Sequence, residues 1–287
     1  MIIDFRMTPP PVEWIDLEEF RHWFRTSGMR GYLKIYPWLE EFDMDLTTDQ
    51  LINNMDEAGA DGAVLQAEWA VGDYRKQNDA VYRLVQKYPD KFIAGFLCAN
   101  PLEEDDMARV IEREVKERGF KGVNLQPFIL GMRPNDRRFY PIYAKCQELG
   151  IPVTTHTSIN FTLDRTIDFS RPIHLDEVAC DFPDLVLVAN HGGWPWVLEM
   201  IAVAWKHPNV YIETGGVSPK YIGGTGTGWE PLMRYGNSIL QDKILMASDN
   251  VLPIKRAVEE MKELPLKDEV KKKWLGENAA RLLGLNK

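Results

Sequence analysis

Eight short runs of apolar residues recur along the chain, and each is followed by a polar or glycine-containing stretch. The runs are nearly continuous in Val, Ile, Leu and Phe, a pattern typical of strands that are buried on both faces of a parallel sheet. The predicted strands are Ile2–Phe5, Gly62–Gln66, Phe92–Cys98, Gly122–Leu125, Pro152–His156, Leu185–Asn190, Val210–Glu213 and Ile244–Ser248.

Longer segments with apolar residues at helical spacing lie between these runs. The predicted helices are Thr48–Ala58, Asn78–Lys87, Asp105–Arg118, Phe139–Leu149, Ile173–Phe182, Pro195–Lys206, Trp229–Tyr235, Ile254–Glu263 and Val270–Leu283. This alternation predicts an α/β fold, a (β/α)8 barrel of the TIM type, with residues 1–287 in one domain. The alternative is an open doubly wound sheet, but no Gly-x-Gly-x-x-Gly sequence follows an early strand.

The segment between the first strand and the first predicted helix is long and aromatic. It runs from Thr8 to Asp45. Its Trp and Tyr residues are Trp14, Trp23, Tyr32, Tyr36 and Trp38. We expect this insertion to pack over the mouth of the barrel or against a second subunit, so a homodimer is consistent with the sequence.

Composition restricts the class of partner. The formal net charge is −9 and 45% of the residues are hydrophobic, so the chain can form a sizeable core but lacks the excess of Lys and Arg that nucleic acid or an anionic membrane requires. The three cysteines, Cys98, Cys146 and Cys180, are widely spaced, which favours a reducing compartment. We see neither a signal peptide nor a membrane-spanning run, and expect a cytoplasmic protein that binds a small molecule.

Polar residues that could carry chemistry stand at the predicted strand ends. Two of the five histidines, His156 and His191, end the fifth and sixth strands, and Asp249 follows the eighth. In a (β/α)8 barrel the carboxyl ends of the strands converge on one face, where active sites are found. Two histidines and an aspartate in that place either bind a divalent metal or transfer protons.

These residues and their surroundings resemble the amidohydrolase superfamily. The order of His156, His191 in "NHGGWP" and Asp249 in "ASDN" is similar to the amidohydrolase-2 group, which includes aminocarboxymuconate-semialdehyde decarboxylase, γ-resorcylate decarboxylase and pyrone-dicarboxylate lactonase. Further matching stretches are "YPDKFIAGFLCANP", "GFKGVNLQP", "FPDLVLVANHGG" and "ENAARLLGL". The resemblance implies that His156 ligates a metal, that Asp249 is a ligand or general base, and that His191 acts on the substrate as an acid or base.

The first strand departs from the family pattern, which is Asp-x-His-x-His or Glu-x-His. Here Arg6 and Thr8 stand in the places of the two metal-binding histidines, in the sequence Asp4-Phe5-Arg6-Met7-Thr8. Two interpretations remain. His156, His191 and Asp249 could still hold Zn or Mn with a water molecule. The simpler interpretation is a metal-free site in which Arg6 supplies the positive charge and binds a substrate carboxylate through two hydrogen bonds.

Four further side chains are candidates for substrate contact. They are Asn124, Gln126, Glu213 and Trp194. Together with His191, Asp249 and His156 as catalytic residues, they favour an enzyme that hydrolyses a small carboxylated ring or a lactone. The alternatives are a non-oxidative decarboxylase of an aromatic or unsaturated carboxylate, and a catalytically inactive barrel that binds a small molecule.

Overall fold

The computed structural model describes residues 1–35, 46–68, 73–104 and 106–285. Its eight strands are parallel, and each pairs with the next along the chain. The strands are β1 (Ile3–Met7), β2 (Gly62–Gln66), β3 (Phe92–Cys98), β4 (Gly122–Leu125), β5 (Val153–His156), β6 (Leu187–Asn190), β7 (Val210–Glu213) and β8 (Ile244–Leu245). The Phe5 amide of β1 donates to the Met246 carbonyl just after β8, at 3.0 Å. The sheet is therefore a nearly closed (β/α)8 barrel, as predicted.

Helices alternate with these strands. They are α1 (Leu17–Thr26), α2 (Arg30–Ile35), α3 (Thr48–Ala58), α4 (Tyr74–Lys87), α5 (Met107–Arg118), α6 (Tyr140–Leu149), α7 (His174–Asp181), α8 (Val197–Lys206), α9 (Pro219–Ile222), α10 (Glu230–Gly236), α11 (Ile254–Glu263), α12 (Asp268–Lys272) and α13 (Asn278–Leu282). Local sequence explains their ends: Thr47 and Gln50 form a capping box at the start of α3, and Gly59 ends it in the left-handed conformation. Within the described ranges, no helix combines the length and the apolarity that crossing a membrane requires.

An apolar plug fills the amino-terminal half of the barrel. The rings of Phe5 and Phe96 meet edge to face at 5.9 Å. The other buried members of this cluster are Ile3, Val64, Ala94, Val188, Leu245, Ala279 and Ala280. Because side chains two positions apart on a strand point to the same face, Gln66 and Asn190 extend the inward-facing rows of Val64 and Val188. Polar residues therefore occupy the carboxyl-terminal half of the barrel interior.

A bulge in β1 directs Arg6 into the same space. Asp4 pairs with Ala63 and Met7 with Leu65, so β1 carries one more residue than β2 over this interval. An extra residue of this kind changes the direction of the side chains beside it. Consequently Phe5 packs into the apolar plug while the next residue, Arg6, also enters the barrel, where it bonds to Gln66.

Several predicted bounds differ from the structure at the two ends of the chain. β1 continues to Met7, whereas β8 stops at Leu245 because the next amide, that of Met246, donates to the Trp274 carbonyl. The long final helix predicted over Val270–Leu283 is interrupted by a π-helical turn at Lys273–Glu277.

The described part of the aromatic insertion packs where it was expected. Tyr32 meets the ring of Phe161 edge to face at 5.3 Å, and a Cβ on Gly31 would collide with the Phe161 carbonyl. Phe161 belongs to the loop after β5, which lies on the carboxyl-terminal side of the barrel. Tyr36 and Trp38 lie outside the described residues.

We predict that Phe96→Ala lowers the free energy of unfolding by about 3–5 kcal/mol, because the ring is fully buried against Phe5 and its removal leaves a cavity. Urea unfolding followed by circular dichroism measures this change. The matched control is Leu198→Ala on α8: Leu198 is 65% exposed, so its loss is expected to change the free energy by no more than about 0.5 kcal/mol. Equal effects of the two substitutions would contradict the assignment of the plug.

Candidate active site

The fully buried side chain of Arg6 lies at the centre of the polar half of the barrel. Its Nε donates to Asp249 Oδ1 at 2.5 Å, and its Nη2 donates to Glu68 Oε1 at 3.0 Å. Its Nη1 donates to the side-chain oxygens of Gln66 and Asn124, at 3.1 and 3.3 Å. Burial opposes the charge on Arg6, but Asp249, Glu68 and Glu213 outweigh it and raise the pKa of Arg6 above its usual value. The guanidinium is therefore a permanent cation.

The side-chain amides of Gln66 and Asn124 are oriented so that their oxygens accept hydrogen bonds from this cation. Gln66 Nε2 donates to the Phe5 carbonyl at 2.7 Å, and Asn124 Nδ2 donates to the Ala67 carbonyl at 2.9 Å. Since each amide nitrogen is committed to a carbonyl, both amide oxygens face Arg6. The Thr154 hydroxyl lies 2.9 Å from each of these oxygens. The amides thus present acceptors to the guanidinium without adding negative charge.

The two predicted histidines stand beside each other, with ring centroids 4.6 Å apart. His156 Nε2 lies 3.1 Å from the Ser158 carbonyl, and His191 Nδ1 lies 2.8 Å from the Gly215 carbonyl. A carbonyl oxygen only accepts, so these nitrogens carry the ring hydrogens. In the neutral rings, His156 Nδ1 and His191 Nε2 therefore keep their lone pairs.

Burial keeps both rings neutral. It lowers the pKa of His191 to about 3, with the charge of Arg6 as the next cause. It also holds the pKa of His156 well below its usual value, assisted by His191 and Arg6. Near pH 7 the pair therefore offers proton acceptors and no positive charge.

Asp249 joins the arginine to the histidines. Its Oδ1 accepts from Arg6, and its Oδ2 lies 3.7 Å from His191 Nδ1. Asp249 and Asn250 adopt φ values of 62° and 54°, and His191 one of 66°. Such left-handed conformations are unfavourable for residues other than glycine and cluster at functional sites. The backbone is thus strained at the two loops that carry the central acid–base residues.

Four carboxyl groups surround this one cation. Burial raises the pKa of Asp4 to about 7, that of Glu68 to about 7 and that of Glu213 to about 8. It also raises the pKa of Asp249, against the opposing effect of Arg6. Near neutral pH, Asp4, Glu68 and Glu213 therefore hold protons for part of the time, whereas they would be ionised in water.

The structure corrects the predicted role of Arg6. We expected a guanidinium that binds a substrate carboxylate through two hydrogen bonds. Instead, each of its nitrogens donates to a protein oxygen and the side chain is fully buried. The physical reason is that Asp249, Glu68 and the two amides take four of the five N–H groups of Arg6, so no pair of N–H groups is left for a bidentate contact.

The other four predicted substrate contacts lie in different parts of the site. Asn124 accepts a hydrogen bond from Arg6, as described above. Gln126 donates to Glu68 Oε1 at 3.1 Å, and Glu213 is completely buried, with Oε1 accepting from the Gly215 amide. Trp194 donates from Nε1 to the Thr227 carbonyl at 3.1 Å, so it connects two loops of the mouth.

Five residues of the site were missing from the predicted set: Asp4, Gln66, Glu68, Thr154 and Phe128. Glu68 lies two positions beyond Gln66, so the alternation of β2 predicts that it points to the inner face of the barrel. It was left out because it follows the end of the strand. Thr154 and Phe128 carried no distinguishing signal in the sequence. Phe128 packs on the ring of His156, with centroids 4.6 Å apart, and shields that ring from solvent.

The predicted metal ligands do not form a metal centre in this arrangement. Among the described residues, a set of three donor atoms within 4.8 Å of one another occurs at Asp176, Cys180 and His207 on the outer helices, and not at His156, His191 and Asp249. The guanidinium of Arg6 also occupies one oxygen of Asp249 at 2.5 Å. A divalent ion bound to the same carboxylate would lie next to this fixed positive charge, so the residues do not fit a metal.

Comparison with known proteins identifies the family. A family model described as amidohydrolase matches residues 35–285. The chain belongs to the amidohydrolase family. This confirms the resemblance seen in the sequence, including the motifs around His191 and Asp249.

Individual relatives of this amidohydrolase differ in activity. The chain is 33% identical over 135 residues to 2-keto-4-carboxy-3-hexenedioate hydratase of a Sphingobium species, a match that covers 40% of this chain and 39% of the hydratase. An uncharacterised TIM-barrel protein of Bordetella bronchiseptica is 30% identical, with a TM-score of 0.75 and coverage of 99% and 98% of the two chains. The 5-carboxyvanillate decarboxylase of Novosphingobium aromaticivorans, solved with manganese and 4-hydroxy-3-methoxy-5-nitrobenzoic acid, is 19% identical with a TM-score of 0.71, covering 99% and 95%.

We predict that the free energy of unfolding of this amidohydrolase falls as the pH rises from about 4.5 to about 8. The folded chain keeps a proton on Glu213 up to about pH 8, whereas the unfolded chain releases it near the ordinary pKa of 4.5. The stability that this proton contributes is complete below the unfolded pKa and is lost as the pH rises through the folded one.

Glu213→Gln is expected to flatten this part of the profile, measured as the free energy of unfolding in urea at a series of pH values. Asp4 and Glu68 would retain the remaining slope below about pH 7, since their pKa values are also raised. The exposed Glu259→Gln serves as control and should leave the profile unchanged. A wild-type profile that rises over this interval would refute the assignment.

Proposed function

We propose that this amidohydrolase is a lyase that removes carbon dioxide from a small aromatic or unsaturated carboxylate, with Arg6 in the place where relatives use a metal ion. The observation that carries the proposal is the pair of neutral, anchored imidazoles beside Asp249, above a buried guanidinium. Such a site can move a proton at a carbon atom without a strong nucleophile.

The positioning of the acid–base groups supports this chemistry. The Gly215 carbonyl fixes the ring of His191, while the lone pair on its Nε2 is not committed to a protein donor in the described residues. Asp249 has a raised pKa and lies beside this ring. The raised pKa makes Asp249 a better proton donor than an aspartate in water, and its place beside His191 brings it within reach of a substrate bound against that ring.

In the proposed reaction the carbon–carbon bond to the substrate carboxylate breaks, and its electron pair stays on the substrate carbon. Carbon dioxide leaves, and that carbon takes a proton from Asp249. The positive charge of Arg6 stabilises the Asp249 carboxylate that remains. Solvent then returns a proton to Asp249, so the cycle closes without an oxidant or reductant.

Hydration of a carbon–carbon double bond is a second candidate, favoured by the 33% identity to the Sphingobium hydratase. It would use the same groups, with His191 accepting a proton from water and Asp249 donating one to carbon. The hydrolysis expected first from the sequence stays a prediction, since the relatives named above are a hydratase and a decarboxylase. An assay of one substrate panel for carbon dioxide release, double-bond loss and lactone opening distinguishes the three reactions.

We predict that His191→Ala and Asp249→Asn each lower kcat by about 100-fold or more, because each removes a proton-transfer group. The readout is carbon dioxide release from a panel of hydroxybenzoates and unsaturated dicarboxylates, with circular dichroism to verify folding. The exposed His22→Ala is the matched control and should retain wild-type turnover. An inactive binding barrel would instead show no turnover in the wild type and retained ligand affinity in the variants.

A further inference from the structure

Asn190 and Glu213 are neighbours among the side chains inside the barrel that have polar atoms without a hydrogen-bond partner. Asn190 and Glu213 are both fully buried. In the part of the chain that the structure describes, the Nδ2 and Oδ1 atoms of Asn190 and the Oε2 atom of Glu213 bond to no protein group. An unsatisfied buried polar group costs about 1–3 kcal/mol, and the neighbouring Gln66 and Asn124 show that this barrel can satisfy its amides. These atoms are therefore available to bond to a ligand.

The strand register places these two side chains next to each other. Ala189 of β6 pairs with Ile212 of β7, so Asn190 and Glu213 are the next residues on adjacent parallel strands. His156 of β5 pairs with Asn190 on its other side. Asn190 continues the inward row of Val188, and the inward position of Glu213 agrees with the influence of Arg6 and Asp249 on its pKa. The two groups thus lie at the level of the catalytic histidines.

We infer that Asn190 Nδ2 and Glu213 Oε2 form a two-donor site for an anionic oxygen of the substrate, either a carboxylate oxygen or the oxygen of an enolate or phenolate. This inference rests on the proposed function, since it supplies the two-donor substrate contact that Arg6 cannot make. Neither residue belongs to the acid–base set of His156, His191 and Asp249.

The hydrogen-bonding state of Glu213 is consistent with donation. Its Oε1 accepts from the Gly215 amide, which leaves Oε2 as the oxygen that can carry a hydrogen. Burial raises the pKa of Glu213 to about 8, so the carboxyl group is protonated near neutral pH. The charged groups that face it are Arg6 and Asp4 from β1 and Asp249 from the loop after β8.

Electrostatics favour an anion at this place. Of the charged groups that act on Glu213, Arg6 has the largest effect, and Asp249 and Asp4 act in the opposite sense. A neutral acid and an amide add two hydrogen-bond donors but no negative charge. Preorganised donors of this kind, in a site that excludes water, are the usual means of stabilising an oxyanion.

Calorimetric titration with benzoate tests the inference, with benzamide as the uncharged isostere. Glu213→Ala and Asn190→Leu are expected to weaken benzoate affinity by about tenfold or more, because each loses one donor to the anion. Glu213→Gln is expected to restore most of the affinity, since its amide also donates. The exposed Glu259→Gln is the control.

Thermal unfolding separates a binding role from a structural one. Asn190→Leu removes no hydrogen bond to protein and is expected to leave Tm unchanged or raise it. Asn278→Leu is the matched control: Asn278 is buried and donates to the Gln241 and Ile244 carbonyls at 2.9 and 2.8 Å, so its loss should lower Tm.

Three results would overturn the inference: no binding of benzoate by the wild type, unchanged affinity in Glu213→Ala and Asn190→Leu, or an Asn190→Leu variant as destabilised as Asn278→Leu. If these occurred while His191→Ala still abolished turnover, the proposed lyase activity would stand without this substrate contact. If benzoate bound as expected but no reaction were found in the wild type, the lyase proposal alone would fail.

Discussion

The buried ion pairs of Arg6 with Asp249 and Glu68 determine how the rest of the site is built. A guanidinium can be removed from water only if anions and hydrogen-bond acceptors surround it. Here the carboxylates lie at 2.5 and 3.0 Å, and two amide oxygens complete the shell. Loss of either partner would leave an uncompensated charge in the barrel, so the arginine and its acceptors depend on one another.

The same interaction joins the first strand of the barrel to the loop that follows the last strand. Arg6 lies in β1 and Asp249 follows β8, and the Asp249 amide also donates to the Arg6 carbonyl at 3.0 Å. Closure of the barrel is therefore part of the active site, because the β1–β8 seam holds the cation and its principal anion together. The strained φ of Asp249 is maintained by these contacts.

Much of the scaffold could be predicted from the sequence because its signals are local. The bounds of β2, β3, β4 and β7 match the apolar runs, and strand-end position was sufficient to bring His156, His191 and Asp249 to one face. The hydrogen bonds that Arg6 donates to protein groups could not be predicted, since they depend on a bulge in β1 and on acceptors from several strands. Glu68 was missed because it stands beyond its strand. The departure of β1 from the family pattern did indicate that Arg6 replaces a metal-binding histidine.

The central claim, that Arg6 is the cation of this site, is tested most directly by anomalous diffraction from crystals soaked in manganese. The account predicts no manganese peak inside the barrel, with the guanidinium of Arg6 in place between Asp249 and Glu68. A peak bound jointly by His156, His191 and Asp249, with Arg6 displaced from Asp249, would contradict it.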